Sequence, residues 1–428
     1  MRNQDRYDLS DWLIHFTRAV DLEEGPESFP IDWDLGEMVE DTKLSPFFLL
    51  RRIVRKRQIL STWSMRGGKR TIYGPDPAVC FTEMPIGAFV QASAERAERG
   101  ENISSYAIMI PRVDAFAAGA RQVIYGLSQT AVAQTHADGS RRLPTSALAL
   151  IEQFRYSAYD PTRAGKLDWA HEREWRWPNR SSTGFNDVEA PRGREAEWEE
   201  WQSERERHGR HEHDGLCLDR DPVSHVGLIV KSQQQADLLV HDVLRLVDQG
   251  VVPESLFGFV LVLQRLPAAS VLADQTVAAE SIRKSTVNLS DFYALGNANS
   301  LVDKFDHIVT SELANVTAKH TFEAGGCWLW LRDNKHPLVR TLFRQGRAKP
   351  NQRGRYLVEL PLPRSLPLRD RQEATGRVAE RVRQAFSTAA DYYSVLGSHD
   401  PDELPSYAGN AHEDDPVLYN YAHTPEDF

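Results

Sequence analysis

Ionisable side chains alternate with tryptophans in one short run of the chain, Asp168 to Pro178, which reads DWAHEREWRWP. A strand turns successive side chains to opposite faces, so the spacing predicts a strand with one mainly aromatic face and one charged face. The aromatic face would carry His171, Arg173, Trp175 and Trp177, and the charged face would carry Glu172, Glu174 and Arg176. Two carboxylates on one strand face lie roughly 6.5–7 Å apart and repel each other unless a cation, an arginine or a substrate lies between them. The run therefore indicates either a ligand site or an edge strand whose charged face is solvated.

Two other predicted strands end in polar residues that are suited to binding. Residues 12–17 form a short apolar strand that contains His15 and ends at Thr17, and residues 78–85 form another that leads to Thr82 and Glu83. Polar residues at the ends of core strands are common components of sites, because a rigid scaffold holds them in place. A histidine in an apolar strand is also often a satisfied structural residue, so both interpretations of His15 stay open.

A basic helix is predicted to begin at Ser45 and Pro46, a helix-capping residue followed by the residue preferred at the first helical position. Apolar residues recur at helical spacing as far as residue 60, and arginines at positions 51, 52, 55 and 57 occupy the positions between them. We expect the apolar stripe to dock and the arginines to face outward. The outward face would be either a solvated basic face or a phosphate-binding face that includes Arg51.

The composition is that of a globular protein rather than a membrane protein or a disulfide-rich one. The chain has 428 residues, of which 41% are hydrophobic and 26% are charged, so it is long enough for two or three domains. No apolar run approaches the ~20 residues that a membrane helix needs, and the first residues are unlike a signal peptide. The three cysteines lie far apart, without a metal-binding or redox spacing. We therefore expect a cytoplasmic protein with reduced thiols, no metal site and no membrane partner.

The formal net charge of −10 is concentrated at the carboxyl end of the chain. Nine acidic residues and no lysine or arginine follow Arg383, which leaves 61 − 9 = 52 acidic residues against 51 basic ones, or −1, for the preceding residues. The global charge therefore gives no reason to expect a nucleic-acid partner, although a local basic patch is compatible with this charge.

The order of predicted elements indicates two α+β domains with mixed or antiparallel sheets and flanking helices. Short strands alternate irregularly with a few helices instead of repeating as strand–helix–strand units. Residues 1–270 would form the first domain, in which strands 12–17, 78–83 and 169–177 lie in neighbouring or facing sheets. Residues 281–428 would form a smaller α+β domain with an acidic tail. Residues 189–214 are rich in mixed charge and predict a surface insertion, and the histidines within it have no firm metal-ligand spacing.

Four motifs in one order resemble a known family. They are His-Phe-Thr at 15–17, Cys-Phe-Thr-Glu at 80–83, Gly-Ala-Arg-Gln-Val-Ile-Tyr at 119–125 and Asp-Trp-Ala-His-Glu-Arg-Glu-Trp-Arg at 168–176. In this order they resemble the AbiGi-type abortive-infection proteins of bacteria, over residues 10–265. The resemblance implies a role in phage defence, with a cognate toxin or antitoxin as partner. The carboxyl-terminal part looks like an uncharacterised bacterial domain, and that resemblance implies no mechanism.

The same order of motifs is more distantly similar to DarT-like ADP-ribosyltransferases, which implies an ADP-ribosyltransferase-like first domain that uses NAD as substrate. The resemblance implies that His15 bonds the nicotinamide ribose with support from Thr17. Glu174 or Glu172 would orient the ribose hydroxyl and stabilise the oxocarbenium-like transition state as nicotinamide leaves, since a preorganised negative group best stabilises developing positive charge. We favour Glu174 as the catalytic carboxylate, with Glu172 supporting it.

The remaining roles in such a site would fall to four further side chains. Arg51 or Arg173 would hold the pyrophosphate. Thr82 would lie in the same pocket, and Tyr125 is a candidate for the aromatic clamp on the cofactor. The acceptor of the ADP-ribose would be a nucleic acid or a protein.

Three functions therefore stay open from the sequence. The first is an NAD-consuming transferase toxin of phage defence. The second is a non-catalytic antitoxin or binding module in which a degenerate version of the same motifs only holds the fold. The third is a nuclease, in which Glu83, Glu172 and Glu174 would bind Mg²⁺, and it ranks last because no lysine lies at the spacing common in nuclease motifs.

Overall fold

The computed structural model describes most of the chain, in segments separated by gaps. The described residues are 10–21, 43–66, 69–99, 103–128, 131–137, 139–159, 173–180, 215–268, 272, 275–295, 298–320, 323–403, 417–418 and 420. They divide into two compact units. The first unit takes the described residues up to 233 together with the described residues of 255–287, and the second takes residues 234–254 together with the described residues of 288–420.

This division differs from the predicted domains in two places. Residues 234–254 belong to the second unit, whereas the sequence placed them in a first domain of residues 1–270, and residues 281–287 belong to the first unit. Chain order alone groups a helix with the elements next to it in the sequence. In the folded protein a helix belongs to the domain whose core it packs into, and the two groupings can differ. Within the second unit, the side chain of Asn334 donates to the carbonyl of His241, which ties the 233–248 helix to that unit.

The first unit contains strands β1 to β18. In chain order they are β1 (Trp12–Phe16), β2 (Val20–Asp21), β3 (Lys43–Leu44), β4 (Gln58–Leu60), β5 (Met65–Arg66), β6 (Lys69–Arg70), β7 (Ala78–Thr82), β8 (Ala107–Pro111), β9 (Arg121–Gln122), β10 (Ile124–Tyr125), β11 (Gln134–Thr135), β12 (Arg141–Arg142), β13 (Tyr156–Ser157), β14 (Glu174–Pro178), β15 (Gly215–Cys217), β16 (Val226–Val230), β17 (Phe257–Val262) and β18 (Thr286–Asn288). Eight of these strands form one sheet in the order β18-β17-β16-β8-β1-β7-β14-β9. Strands β16 and β17 pair in parallel, and the pairs from β16 across to β9 are antiparallel. The predicted α+β class with mixed sheets is therefore confirmed. Strands β1, β7 and β14 are adjacent strands of this one sheet, whereas the sequence predicted that they lie in neighbouring or facing sheets.

The central strands of this sheet are apolar because both of their faces are covered. The first four residues of β8, Ala-Ile-Met-Ile, and all five residues of β16, Val-Gly-Leu-Ile-Val, are buried. A strand with only one face in a core alternates apolar and polar residues, whereas these two strands do not alternate. One face packs against the second helix of the chain through Phe89, which lies in a cluster with Ile14, Met109 and Ile229.

The helices of the first unit are α1 (Pro46–Lys56), α2 (Ile86–Glu98), α3 (Arg112–Ala117) and α5 (Gln275–Ser285), and α4 (Gln233–Asp248) lies almost wholly in the second unit. Short 3₁₀ helices span Leu150–Arg155 and Leu263–Arg265. Helix α1 begins as the sequence predicted, since the Ser45 side chain accepts a hydrogen bond from the backbone N–H of Phe48 at 3.1 Å and Pro46 is the first helical residue.

The prediction that the arginines of α1 face outward is wrong for Arg51 and Arg52. Their exposed fractions are 2% and 9%. Residues 47–50 are Phe-Phe-Leu-Leu, and four consecutive apolar residues at about 100° per residue surround most of a helix, so α1 has no single polar face. The guanidinium of Arg52 lies 5.7 Å from the centroid of the Phe48 ring. Arg51 is therefore buried in the packing around α1 and does not lie on an outward face.

The second unit packs helices against a four-stranded antiparallel sheet. Besides α4, its helices are α6 (Leu289–Ala294), α7 (Asn299–Leu313), α8 (Pro337–Arg344) and α9 (Leu368–Phe386), and its strands are β19 (Gly325–Leu331), β20 (Ala348–Pro350), β21 (Tyr356–Val358) and β22 (Ala390–Leu396). The strand order is β20-β21-β19-β22 and each pair is antiparallel. The core contains Phe305, Leu331, Leu342 and Val378. Across both units, no helix among the described residues is long and apolar enough to span a membrane.

Candidate functional site

The sheet register places His15 and Glu174 on opposite faces of the first unit's sheet. Directly paired residues on adjacent antiparallel strands point to the same face, and Ile14 pairs with Thr82, which in turn pairs with Glu174. These three residues define the Glu174 face. Side chains alternate along a strand, so His15 and Phe81 define the opposite face, the His15 face. The sequence predicts one pocket that contains His15, Thr82 and Glu174, whereas the register places His15 on one face of the sheet and Thr82 and Glu174 on the other.

His15 is held by the neighbouring strand. Its Nδ1 lies 2.9 Å from the carbonyl oxygen of Cys80, and since a carbonyl oxygen only accepts, Nδ1 donates and Nε2 is the unprotonated nitrogen of the neutral ring. The ring meets Phe81 edge-on, with the centroids 5.9 Å apart. Burial lowers the pKa of His15, the hydrogen bond to Cys80 opposes this change, and the charge of Arg18 adds to it. The His15 ring is thus a neutral hydrogen-bond donor to the neighbouring strand β7.

This environment predicts that acid destabilises the protein through His15. The pKa of the folded state lies below the ordinary value of 6.5, so the unfolded chain binds more protons as the pH falls below 6.5. The stabilisation is complete above the unfolded pKa and is lost as the pH falls towards the folded pKa, by at most about 1.4 kcal/mol per pH unit. Urea unfolding at pH 7.5, 6.5 and 5.5 measures the effect. We expect a His15→Asn protein, which keeps a side-chain donor but does not titrate, to depend less on pH, and the same pH dependence in both proteins would contradict this assignment.

Glu174 forms an ion pair with Arg176 on the Glu174 face. The Nε and Nη2 atoms of Arg176 donate to the two carboxylate oxygens of Glu174 at 2.7 and 3.1 Å. Arg176 is 4% exposed, and its Nη1 donates to the carbonyl oxygens of Phe154 and Tyr156 at 2.8 and 3.1 Å. Burial alone would lower the pKa of Arg176, but the carboxylate of Glu174 more than offsets this and raises the pKa. The hydrogen bonds of Arg176 therefore connect β14 to the 3₁₀ helix Leu150–Arg155 and to β13.

The start of β14 differs from the predicted strand over residues 169–177. Strand β14 begins at Glu174, and Arg173 has a φ of 48°, in the left-handed region, which breaks the alternation expected from residue 171 onward. From residue 174 to 178 the alternation follows the prediction. The hydroxyl of Tyr125 accepts a hydrogen bond from the backbone N–H of Glu174 at 2.9 Å, so it fixes the start of the strand. Glu172 lies outside the described residues, and its role stays a prediction.

A second carboxylate, Glu83, lies at the centre of a polar network one residue beyond β7. Its exposed fraction is 1%. One carboxylate oxygen accepts from Nη1 of Arg112 at 2.6 Å, and the other accepts from the indole N–H of Trp175 at 2.9 Å and from the side-chain amide of Gln122 at 3.4 Å. The Nε of Arg173 lies 3.8 Å away. The buried charge is thus neutralised by arginine and solvated by three donors.

The Glu83 network lies on the His15 face. Trp175 pairs with Phe81, which belongs to that face, and the indole of Trp175 reaches Glu83. Strands β7 and β8 are both antiparallel to β1, so their carboxyl ends meet at one edge of the sheet, where Glu83 follows β7 and Arg112 follows β8. The sequence indicated Glu83 as a polar residue at a strand end that is suited to binding, and as a Mg²⁺ ligand in the nuclease alternative, but it did not indicate Arg112. The available signal was a charged residue directly after each of two apolar strands.

The other predicted binding residues act as local anchors. The hydroxyl of Thr17 donates to the carbonyl of Pro46 at 2.8 Å, and the carbonyl of Tyr106 lies 3.2 Å from the same hydroxyl. The hydroxyl of Thr82 accepts from the backbone N–H of Met84 at 3.2 Å. Arg51, buried in α1, is described above. These contacts join loops to the sheet. Thr17 and Thr82 are 5% and 3% exposed, so neither residue lines an open pocket.

One group of described side chains has the composition of a metal site, and it lies in the second unit. The ligand atoms of His320, Asp370 and Glu373 lie within 4.8 Å of one another. Asp370 already accepts from the His320 ring at 2.8 Å and from the backbone N–H groups of Lys319 and His320 at 3.1 and 3.2 Å. Nζ of Lys319 lies 3.9 Å from Glu373 and supplies a positive charge there. These contacts hold the backbone at residues 319 and 320 against the start of α9.

The three cysteines are free thiols, as predicted.

Comparison with known proteins adds one match. Residues 294–421 match the model of a family described as a protein of unknown function, DUF4427. The match spans 421 − 294 + 1 = 128 of the 428 residues, which is the carboxyl-terminal part of the chain. No protein of curated function and no solved structure matches the chain significantly. The fold and the two carboxylate networks thus define an α+β protein of two units, and the described residues of the matched region belong to the second unit.

Proposed function

We propose that this chain is a non-catalytic binding protein of a bacterial phage-defence system, which acts in the cytoplasm on a cognate protein partner. The role in phage defence rests on the resemblance of the motifs at 15–17, 80–83, 119–125 and 168–176 to AbiGi-type proteins. The binding role rests on one observation, the separation of His15 and Glu174 on opposite faces of the sheet. In an ADP-ribosyl transfer, the side chain that binds the ribose and the carboxylate that stabilises the transition state must reach the same substrate.

The charge state of the two described motif carboxylates supports the same conclusion. A carboxylate that stabilises an oxocarbenium-like transition state must direct its negative charge at the substrate. Glu174 is paired with Arg176, and Glu83 is paired with Arg112 and is 1% exposed. Both negative charges are thus neutralised within the protein. The motif residues in this proposal hold the sheet together, and the surfaces around it bind the partner.

A second candidate function is an NAD-consuming ADP-ribosyltransferase that uses Glu83 instead of Glu174. The observation that favours it is the position of the Glu83 network on the same face as His15, with Arg112 and Arg173 as partners for a pyrophosphate. The acceptor would again be a nucleic acid or a protein. The nuclease candidate has no comparable support, because Arg112 and Trp175 occupy the positions beside Glu83 that a metal ion would need.

The release of nicotinamide from NAD distinguishes the two candidates. The purified full-length protein is incubated with NAD, with and without bacterial lysate as a source of acceptor, and free nicotinamide is quantified by chromatography. We expect no release above that of buffer. Glu83→Gln and Glu174→Gln proteins are the matched controls, since each keeps the shape of the side chain without its charge. Release that disappears only in the Glu83→Gln protein would replace our proposal with the second candidate, and release that disappears in the Glu174→Gln protein would contradict both.

A further inference from the structure

A histidine and two carboxylates of the second unit meet at the start of α9. His320 follows α7 in the chain, and Asp370 and Glu373 lie in the first two turns of α9. One ligand atom from each of the three side chains lies within 4.8 Å of the other two. Residues three apart on a helix share a face, so both carboxylates turn towards the same part of the chain. The fold thus joins His320 to two carboxylates that lie about 50 residues further along the chain.

Asp370 fixes the position and the tautomer of the His320 ring. The Asp370 side chain is 2% exposed, and its Oδ2 accepts from the backbone N–H groups of residues 319 and 320 at 3.1 and 3.2 Å. Its Oδ1 lies 2.8 Å from Nδ1 of the ring. A carboxylate oxygen only accepts, so Nδ1 donates and Nε2 of the neutral ring carries the lone pair. A zinc-bound imidazole has this partner on its second nitrogen, which orients the ring and makes it a better ligand.

The nitrogen that Asp370 leaves unprotonated lies beside Glu373. The distance from Nε2 of His320 to Oε1 of Glu373 is 4.0 Å, which is too long for a hydrogen bond. Two ligands of a tetrahedral zinc ion at bond lengths of about 2.0–2.1 Å lie about 3.3 Å apart. The carboxylate therefore has to approach the ring by less than about 1 Å, which its 45% exposed side chain permits. The ring is 32% exposed, so an ion reaches Nε2 from solvent.

Lys319 supplies a positive charge beside this group, which a bound ion must displace. Its Nζ lies 3.9 Å from Oε2 of Glu373, and the two side chains are 66% and 45% exposed. An ion pair between exposed side chains contributes only about 0–1 kcal/mol, so the ammonium moves away at little cost. Lys319 thus balances the carboxylate charge in the metal-free protein without closing the group to a metal ion.

We propose that His320 and Glu373 bind a divalent transition-metal ion, for which Zn²⁺ is the fitting member, and that Asp370 is a positioning residue for His320. Imidazole nitrogen is a ligand that Zn²⁺ accepts readily, whereas Mg²⁺ and Ca²⁺ prefer sites made of oxygen atoms alone. Water completes the coordination of the ion. The ion joins residue 320 to α9 and so stabilises the second unit. This inference goes beyond the binding role proposed above and does not depend on it.

Equilibrium dialysis of the chelator-treated, full-length protein against ZnCl₂ or MgCl₂ at pH 7.5 tests this inference, with the bound metal measured by elemental analysis. His320→Gln and Glu373→Gln each remove one ligand. His307→Gln and Glu359→Gln change exposed residues of the same types in the second unit, and they are the matched controls. The chain has 14 histidines, so the difference in bound zinc between proteins is the quantity that is compared. Melting temperatures are measured with and without ZnCl₂.

We expect the wild type and both controls to bind one zinc ion per chain more than the His320→Gln and Glu373→Gln proteins do. An Asp370→Asn protein should need about 10–100-fold more zinc to bind this ion. Zinc should raise the melting temperature of the wild type and the controls more than that of the two ligand variants. Glu373 is 45% exposed, so its substitution leaves the fold intact and decides the result even where the other variants are unstable.

Three results would each overturn the inference. The first is an equal zinc content in the wild type and the Glu373→Gln protein, and the second is an equal loss of zinc in the control proteins. The third is a Mg²⁺ content, lost on Glu373→Gln substitution, that matches the zinc content at the same free concentration, since this would describe an ordinary acidic surface. These measurements contain no NAD and no partner protein, so their outcome is separate from that of the nicotinamide assay.

Discussion

Replacing Asp248 with alanine is expected to lower the free energy of unfolding of the second unit by about 3–5 kcal/mol, since it leaves a buried arginine without its counter-ion. Arg340 donates to the two carboxylate oxygens of Asp248 at 2.5 and 3.0 Å, and the two side chains are 3% and 1% exposed. The hydroxyl of Tyr356 also donates to Asp248. Burial, and then the charge of Asp248, raises the pKa of Tyr356, so the phenol stays a donor at all ordinary pH values.

Urea unfolding followed by circular dichroism measures this effect in the full-length protein. An Asp248→Asn substitution is the matched control, because asparagine keeps one acceptor for Tyr356 but removes the charge that Arg340 needs. It should cost less than the alanine substitution. Combining Asp248→Ala with Arg340→Met should recover part of the loss, since the buried charge is then removed. An Asp248→Ala protein as stable as the wild type would show that residues 234–254 are not part of the core of the second unit.

Replacing Glu83 with alanine is expected to lower the free energy of unfolding of the first unit by about 2–4 kcal/mol. The substitution removes the acceptor for Arg112, for the indole N–H of the half-buried Trp175 and for the amide of Gln122. The effect is smaller than for Asp248, because the side chain of Arg112 is 26% exposed and water can solvate part of its charge.

A Glu83→Gln protein separates the loss of charge from the loss of an acceptor. The amide oxygen of glutamine can still accept from Trp175, so we expect roughly half the destabilisation of the alanine substitution. Near-ultraviolet circular dichroism reports on the surroundings of the tryptophans and should change in the Glu83→Ala protein. An unchanged spectrum together with unchanged stability would mean that the network does not hold the edge of the sheet.

The sequence predicted the fold class and the positions of several strands in the chain, because both depend on local patterns. Short apolar runs bounded by polar residues located β1 and β7, and the alternation from residue 174 to 178 correctly placed Glu174 and Arg176 on one face. Helix α1 was predicted from its capping residues. In each case the spacing of a few consecutive residues carried the information.

The arrangement of the candidate site depended on pairings that no local pattern contains. The opposite faces of His15 and Glu174 follow from the register of β1, β7 and β14, and a shift of one residue in either pairing would have reversed the result. The pairing of Glu83 with Arg112 depends on the strand order, which brings together residues that are 29 apart in the chain. Asp248 was assigned to the other domain for the same reason.

The central claim is that the carboxylate of Glu174 serves the fold rather than a reaction, and a double-mutant cycle on Glu174 and Arg176 tests it most directly. The free energies of unfolding of the wild type, Glu174→Gln, Arg176→Met and the double variant are measured together with phage protection in cells. We predict that Glu174→Gln loses about 1–3 kcal/mol because the buried guanidinium loses its counter-ion, and that the double variant loses less than the sum of the single variants. Any loss of protection should follow the loss of stability. A Glu174→Gln protein that is as stable as the wild type but gives no protection would contradict the claim.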